Sequence, residues 1–352
     1  MITIKDIAEH ADVSTCTVSH VLSGKHKLGR INEKTRKHVL EVAEQMGYRH
    51  NAIARAVKTH RSNVFGVMGL FIHQFHLQTI NGISEEALQN GYMFNFFIPA
   101  SMSGETIPNR EHTYQHATKM CIEQRVAGII VCGPLQRELE AVRIEIGNFP
   151  MPVIVIDSSF DNNWCSRVDS NDLIGAEIAT NYLIKQGRKR VAHATADLQF
   201  GYATTRIAGY RQALKANGVA EDANLVLSGL HEGSETGNTG TIAGFLKTRN
   251  PDAIFCASDY FAVNVIRAAM SLGMKIPDDL AVIGYGDLDL SRYHVPSLSS
   301  VRQQFQEMGK AALKLMLGQI ESGVFERKEI KLPVELVLRE STDVNHNLKG
   351  VI

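Results

Sequence analysis

The first fifty residues carry apolar positions at helical spacing in three short bursts. Ile4, Ile7, Ala8 and Ala11 line one face, and the pattern then stops at Ala11-Asp12-Val13. Thr3-Ile4-Lys5-Asp6 has capping-box spacing, with Asp where Glu is usual. Ser14 is a good N-cap for a second helix whose inner face is Val18, Val21 and Leu22. Its outward face holds Thr15, Cys16, Thr17, Ser19 and His20, which are short polar side chains. After a basic loop at 23–31, Asn32 can cap a third helix with Val39, Val42, Ala43 and Met46 inside and Gly47 at its end. Two short helices joined by about three residues predict a helix-turn-helix. Short side chains on its second helix can approach base edges and phosphates closely.

From Val64 the grammar changes. Short apolar runs at 64–71, 92–98, 128–132, 153–156, 190–194, 224–227, 253–256 and 281–284 predict strands. Amphipathic stretches between them, at 78–90, 114–124, 173–186, 205–217 and 259–272, predict helices. Repeated β-α units imply doubly wound parallel sheets, and this many strands implies two lobes. Ligands bind such folds at the carboxyl ends of strands and between lobes. The expected fold is therefore an all-α helix-turn-helix head followed by a two-lobed α/β core.

Charge sharpens this division. The 352 residues have 37 basic and 37 acidic side chains, so the net charge of zero argues against a polyanionic partner. Residues 1–62, however, contain eleven basic and six acidic side chains, a surplus of five positive charges that the remainder balances. A basic head on an acidic body suits nucleic-acid binding, although chance clustering gives the same count. Five scattered cysteines without C-x-x-C spacing read as reduced thiols, and no apolar run reaches the ~20 residues of a membrane span. The N-terminus lacks a basic region followed by an apolar one. A cytoplasmic protein is expected.

The string from Ile4 to Leu22, with Ala11-Asp12-Val13-Ser14-Thr15-Cys16-Thr17-Val18-Ser19, resembles the DNA-reading module of the lac repressor/galactose repressor (LacI/GalR) family of transcription regulators. Lys34-Thr35-Arg36 and Gly47-Tyr48-x-x-Asn51-x-x-Ala54 extend the resemblance. So do Asn81-Gly82-Ile83, Arg125-Val126-Ala127-Gly128, Arg206-Ile207-Ala208-Gly209-Tyr210, 277–285 and 332–342. The resemblance implies domains at 1–50 (head), 51–62 (hinge helix and linker) and 63–345 (effector core), with a tail at 346–352. The core's lobes would be about 63–160 plus 291–322 and 161–290 plus 323–345, resembling a periplasmic sugar-binding protein.

By the same carry-over, Thr3, Ser14, Thr15, Cys16, Thr17, Ser19 and His20 would meet DNA, with Asn51, Ala52, Arg55, Val57 and Lys58 in the hinge. Val57 stands where the family usually inserts leucine into the minor groove, and His50 where it has proline. Effector contacts would be Phe75, His76, Asp157, Arg206, His231, Ser258, Asp259, Gly286 and Asp287. Arg206 suits hydroxyls or carboxylates because a guanidinium is a planar fork of donors. Asp157 could equally cap a turn, Asp259 could be an N-cap, and His73, His76 and His231 could be ordinary surface or core histidines. Many relatives have aspartate where Gly286 stands. Its absence removes a carboxylate that would repel anions, which brings a sugar acid into consideration.

The resulting expectation is a homodimeric, operator-binding regulator controlled by a small sugar-like effector, without cofactor or metal. The short polar tail has no leucine heptads, which favours a dimer over a tetramer. The alternative is a solute-binding protein of sugar transport, opposed by the fused head. An enzyme is the remaining alternative. No Gly-x-Gly-x-x-Gly, Walker A or Gly-x-Ser-x-Gly string occurs, and His73-x-x-His76 lacks a further ligand pattern for a metal.

Overall fold

The computed structural model describes residues 2–22, 31–48, 62–69, 74–97, 110–158, 160, 162–231 and 238–343. They fall into two compact units that divide between Arg61 and Ser62. The hinge residues Asn51, Ala52, Arg55, Val57 and Lys58, and the loop before Ile31, lie outside the described residues.

The first unit is a three-helix bundle of α1 (Ile4–His10), α2 (Thr15–Leu22) and α3 (Glu33–Gln45). Each helix starts where a side chain satisfies an orphan amide. Asp6 Oδ2 accepts from Thr3 N at 2.7 Å while Thr3 Oγ1 accepts from Asp6 N at 3.3 Å, so aspartate does close the capping box. Ser14 Oγ accepts from Thr17 N at 3.0 Å, and Asn32 Oδ1 from Thr35 N at 2.7 Å. Ile7, Val18, Val21, Val39 and Ala43 form the core.

The second unit contains two six-stranded sheets. The first has the order β11-β5-β4-β3-β1-β2, from β1 (Val64–Gly69), β2 (Met93–Phe97), β3 (Ile129–Cys132), β4 (Val153–Ile156), β5 (Ser166–Ser170) and β11 (Glu329–Leu332). All its pairs are parallel. The second has the order β12-β10-β9-β8-β6-β7, from β6 (Val191–Ala196), β7 (Val226–Leu230), β8 (Ala253–Cys256), β9 (Ala281–Gly286), β10 (Ser299–Arg302) and β12 (Glu335–Val337). Only β12 runs antiparallel to its neighbour. Helices α4 (Gln74–Gln89), α5 (Arg110–Glu123), α6 (Gln136–Ile146) and α12 (Phe305–Ser322) accompany the first sheet. The second has α7 (Asp172–Lys185), α8 (Gly201–Ala216), α9 (Thr239–Arg249) and α10 (Asp259–Ser271), and the short α11 (Asp289–Tyr293) packs Leu290 against the core of the first.

The chain changes sheet after Ser170, after Arg302 and between Leu332 and Glu335. The crossings expected near 160, 290 and 322 therefore lie later than placed. The reason is that β5 and β10 read Ser-Arg-Val-Asp-Ser and Ser-Ser-Val-Arg, with buried hydroxyls in place of an apolar run. The α12 helix belongs to the first lobe, where it crosses α4 very closely. A Cβ on Gly309 would lie 2.0 Å from Thr79 O, and one on Gly82 would lie 1.9 Å from Gln306 O.

Two predictions arise from these cores. Gly309→Ala cannot be accommodated without parting two helices, and overpacking of this kind costs about 3 kcal/mol or more. Its urea midpoint should drop accordingly. In the second lobe, His193 is fully buried between Tyr210 and Phe255, with ring centroids at 5.2 and 4.9 Å. Its Nδ1 lies 2.9 Å from Phe255 O, so this nitrogen carries the proton. Burial pushes its pKa down to about 3, against the pull of that hydrogen bond. Below pH 6.5 the unfolded chain takes up a proton that the folded one refuses until near pH 3. Stability should therefore fall through that window by about 1.4 kcal/mol per pH unit from this group. His193→Phe should remove that slope in urea titrations across pH, whatever its effect on stability at neutral pH.

Candidate functional site

In the head, α2 turns Val18 and Val21 inward, which leaves Thr15 and Cys16 exposed and Thr17, Ser19 and His20 half-buried. Ser14 Oγ and Thr17 Oγ1 lie 2.9 Å apart and are spent on the cap. Thr3 is likewise spent on the α1 cap. Thr15 and Cys16 are thus the exposed side chains at the start of this helix, with Ser19 and His20 half-buried one turn on.

In the body, a cleft opens at the carboxyl ends of both sheets, where doubly wound folds place ligands. It has an inner chamber of about 40 Å³ and an outer one of about 220 Å³. Phe75, Asp157 and Tyr202 line both and form the neck between them. Phe75 sits in the first turn of α4. Asp157 follows β4 in a left-handed conformation, with φ of 56°.

Arg206 lies on α8 and forms the floor of the inner chamber, with only 4% of its surface exposed. Its Nη1 donates to Ala257 O at 2.6 Å. Its Nη2 donates to Asp172 Oδ1 at 3.0 Å and Gln303 Oε1 at 3.2 Å. The guanidinium carbon lies 3.7 Å from the Tyr285 ring centroid and 4.9 Å from that of Tyr202. Burial works against its charge, but the neighbouring Asp172, Tyr285 and Asp157 outweigh this and hold its pKa above the ordinary arginine value. Its Nε is buried with no hydrogen-bond partner among the described residues. An incoming hydroxyl or carboxylate oxygen would satisfy it.

Seven of the nine expected effector residues line this cleft. Phe75, Asp157, Arg206, Ser258 and Gly286 face the inner chamber, and His76 and His231 face the outer one. Asp259 and Asp287 do not line it. Asp259 is fully buried, with Oδ1 accepting from Ser300 Oγ at 2.5 Å and Oδ2 from Leu288 N at 2.8 Å. Burial raises its pKa to about 6, while those hydrogen bonds pull it back. It does not cap α10 either, because Ser258 Oγ accepts from Tyr260 N in that role. Asp287 is held by Arg302 Nε at 2.7 Å and Arg339 Nη2 at 2.5 Å, with Arg292 at 4.0 Å. Both carboxylates tie the end of β9 to distant chain.

Gly286 carries a further reason for its identity. Its φ is 125°, where only glycine is comfortable, and a Cβ would lie 3.3 Å from Asp259 Oδ2. The absent carboxylate thus comes with a local backbone that no aspartate would share. Sequence reasoning missed Tyr202, Tyr285, Gln303, Phe305 and Arg110, all of which line the cleft. Strand aromatics such as Tyr285 read as core, and Arg110 reads as a solvated helix start. Arg110 Nε in fact pairs with the buried Glu138 Oε1 at 2.6 Å.

The site also touches the crossings between lobes. Gln303, which accepts from Arg206, donates through Nε2 to Ser170 Oγ at 2.8 Å. Asn171 N donates to Leu332 O at 2.9 Å, and Gln304 Nε2 to Pro333 O at 3.3 Å, so the three crossings are stapled to one another. Across the cleft mouth, Asp289 N donates to Gln74 Oε1 at 3.0 Å while Gln74 Nε2 donates to the Asp289 carboxylate.

Comparison with known proteins agrees with this architecture. Residues 3–51 match the model of bacterial regulatory proteins of the lacI family, and residues 180–342 that of the periplasmic binding protein-like domain. The chain is 28% identical over 348 residues to the HTH-type transcriptional repressor PurR of Photobacterium profundum, covering 98% of this chain and all of that one. It is 29% identical over 343 residues to the ribose operon repressor of Haemophilus influenzae, covering 97% of this chain and 98% of that one. In fold it resembles the lac repressor dimer bound to operator and the anti-inducer ONPF. There the TM-score is 0.82 at 24% identity, over 97% of this chain and 99% of that one. A transcriptional regulator CelR–cellobiose complex aligns with a TM-score of 0.70 at 23% identity, over 97% of this chain and all of that one. The chain thus joins a helix-turn-helix of the lacI family, at residues 3–51, to a periplasmic binding protein-like domain at residues 180–342.

Proposed function

We propose that this protein is a transcriptional repressor whose head binds operator DNA and whose cleft binds a small sugar-like effector. It is not an enzyme. The carrying observation is the pairing, in one chain, of a lacI-type helix-turn-helix with a two-lobed cleft floored by Arg206 and its open Nε. The relatives named as repressors span nearly the whole chain, which supports the same reading. A cytoplasmic location follows from work on DNA. Among the described residues, no helix is long and apolar enough to cross a membrane.

In this reading Thr15 and Cys16 face base edges, and Ser19 and His20 follow the groove. Cys16 is a weak hydrogen-bonder and contributes apolar contact, as with a thymine methyl. Two heads of a homodimer read a pseudo-palindrome. The lac repressor structure, a dimer on operator, supports that assembly, as do the exposed Tyr293 and Val295. Effector binding acts through Arg206 and Gln303 on the stapled crossings, and a change in lobe closure alters the hinge and operator affinity.

The effector's class is narrower still. Gly286 adds no second carboxylate beside Asp157 in the inner chamber, which supports a sugar acid. The pairing of Arg206 with Asp172 and of Arg110 with Glu138 counts against a multiply charged one.

Two outcomes test these readings. Selection from a random duplex pool with the full chain should enrich a pseudo-palindrome, and affinity for it should fall steeply with added salt. Val57→Gly should weaken that binding by at least tenfold; a pool that yields no common sequence would sink the repressor reading. A thermal-shift screen of neutral sugars, sugar acids, nucleosides and sugar phosphates should return one stabilising class. Arg206→Ala should abolish that shift, and an unchanged shift would remove Arg206 from the site.

A further inference from the structure

The two chambers of the cleft are unequal. The inner one, of about 40 Å³, holds about three non-hydrogen atoms at roughly 10–15 Å³ for each water-sized group. The outer one, of about 220 Å³, holds about fifteen or more on the same scale. A carboxylate fills the first. A single sugar acid with its carboxylate there would leave much of the second empty, with room for one further ring.

Polar groups in want of a partner fall on both sides of the neck. Arg206 Nε, at the floor of the inner chamber, is one. Ser158 lines the outer chamber and is only 2% exposed. Its Oγ is likewise buried with no hydrogen-bond partner among the described residues, and its N–H is already given to Asp169 Oδ1 at 3.1 Å. Ser158 directly follows Asp157, which forms the neck with Phe75 and Tyr202. Unsatisfied buried groups on either side of one neck are met together by a ligand that passes through it.

Beyond the neck the walls are aromatic, and each lobe supplies a pair of rings. Phe75 and His76, with centroids 3.9 Å apart, come from the first turn of α4. Phe200 and Tyr202, with centroids 5.8 Å apart, come from the start of α8. Such walls take the flat face of a ring, whether aromatic or the C–H face of a sugar.

We propose that the effector is a two-ring glycoside of a sugar acid, larger than a single sugar. Its carboxylate meets Arg206 Nε in the inner chamber. Its sugar passes the neck, where Ser158 Oγ bonds to one of its oxygens, and its second ring lies between the ring pairs of the outer chamber. A hexuronic acid glycoside has the required form, because its carboxylate and its linked ring leave the sugar on either side of the ring oxygen. This rests on the effector reading of the cleft and deepens it.

Calorimetric titration of the full-length protein with a panel of hexuronic acids tests the proposal. Each acid is given free, as its methyl glycoside, as its phenyl glycoside and as a disaccharide that it terminates. For one acid, a two-ring member should bind about tenfold or more tightly than the methyl glycoside, since only two-ring members bury a second ring. A gain in the phenyl arm assigns an aromatic ring, and a gain in the disaccharide arm a second sugar. Arg206→Ala should abolish binding throughout, and Ser158→Ala should weaken the glycosides several-fold. Phe200→Ala, at a half-buried position whose unliganded melting temperature reports its fold, should cut the second ring's advantage to about twofold or less. A free acid or methyl glycoside that binds through Arg206 as tightly as its two-ring partners overturns the proposal and leaves the effector reading intact. An advantage kept in full in Phe200→Ala also overturns it. So does a panel in which no two-ring member binds, and the effector reading then stands or falls with the wider ligand screen.

Discussion

A guanidinium with almost no contact with water has to be surrounded by oxygen and π-electron density, and the ring of partners around Arg206 is that requirement met. Asp172, Gln303 and the Ala257 carbonyl take its terminal nitrogens, and Tyr285 and Tyr202 cover its faces. Removing one partner from a buried charge costs far more than the pair contributes in water. Each partner is therefore held in place, and each holds a different stretch of chain. Asp172 starts the helix after the first crossing, and Gln303 lies in the second. The Nε of Arg206 is the one nitrogen of the group left without a partner among the described residues. Through Gln303 the guanidinium is linked to Ser170, at the end of the other sheet's β5.

Two further buried acids at the end of β9 are held by different partners. Asp287 is met by arginines from β10 and from the segment after β12. Asp259 has neutral donors in Ser300 Oγ and Leu288 N, and burial raises its pKa against their pull. These two adjacent-looking acids thus serve one purpose, closing the end of β9 onto β10, by different physics. Neither needs a ligand to account for its burial.

Much of the fold was legible in the residues. The apolar runs at β1, β3, β4, β8 and β9 are buried on both faces and stand out as such. Legibility fails where burial is polar. Ser299 is buried because Thr342 and Ser341, forty residues on, supply its partners, and no window of sequence shows that pairing. The same holds for β5, β11 and β12, and the crossings were displaced for this reason. Among the expected effector residues, Arg206 lines the cleft, while Asp259 and Asp287 do not, because a strand-end acid reads alike whether it faces a cleft or an arginine. The capping acid Asp6 was visible because its partner lies three residues away.

The close crossing of α12 on α4 bears on how the protein is made. The first lobe lacks α12, β11 and the Gly309–Gly82 contact until the ribosome has passed residue 332. By then every strand of the second sheet except β12 has already been synthesised. The lobe that begins first therefore finishes nearly last, with its α4 face and its β5 edge uncovered throughout. Non-local closure of this kind is slow, and the open face and edge are exposed to wrong partners meanwhile. A nascent chain stalled before residue 305 would hold a first lobe without α12 and its edge strand β11, and the later lobe would be the one lacking only β12.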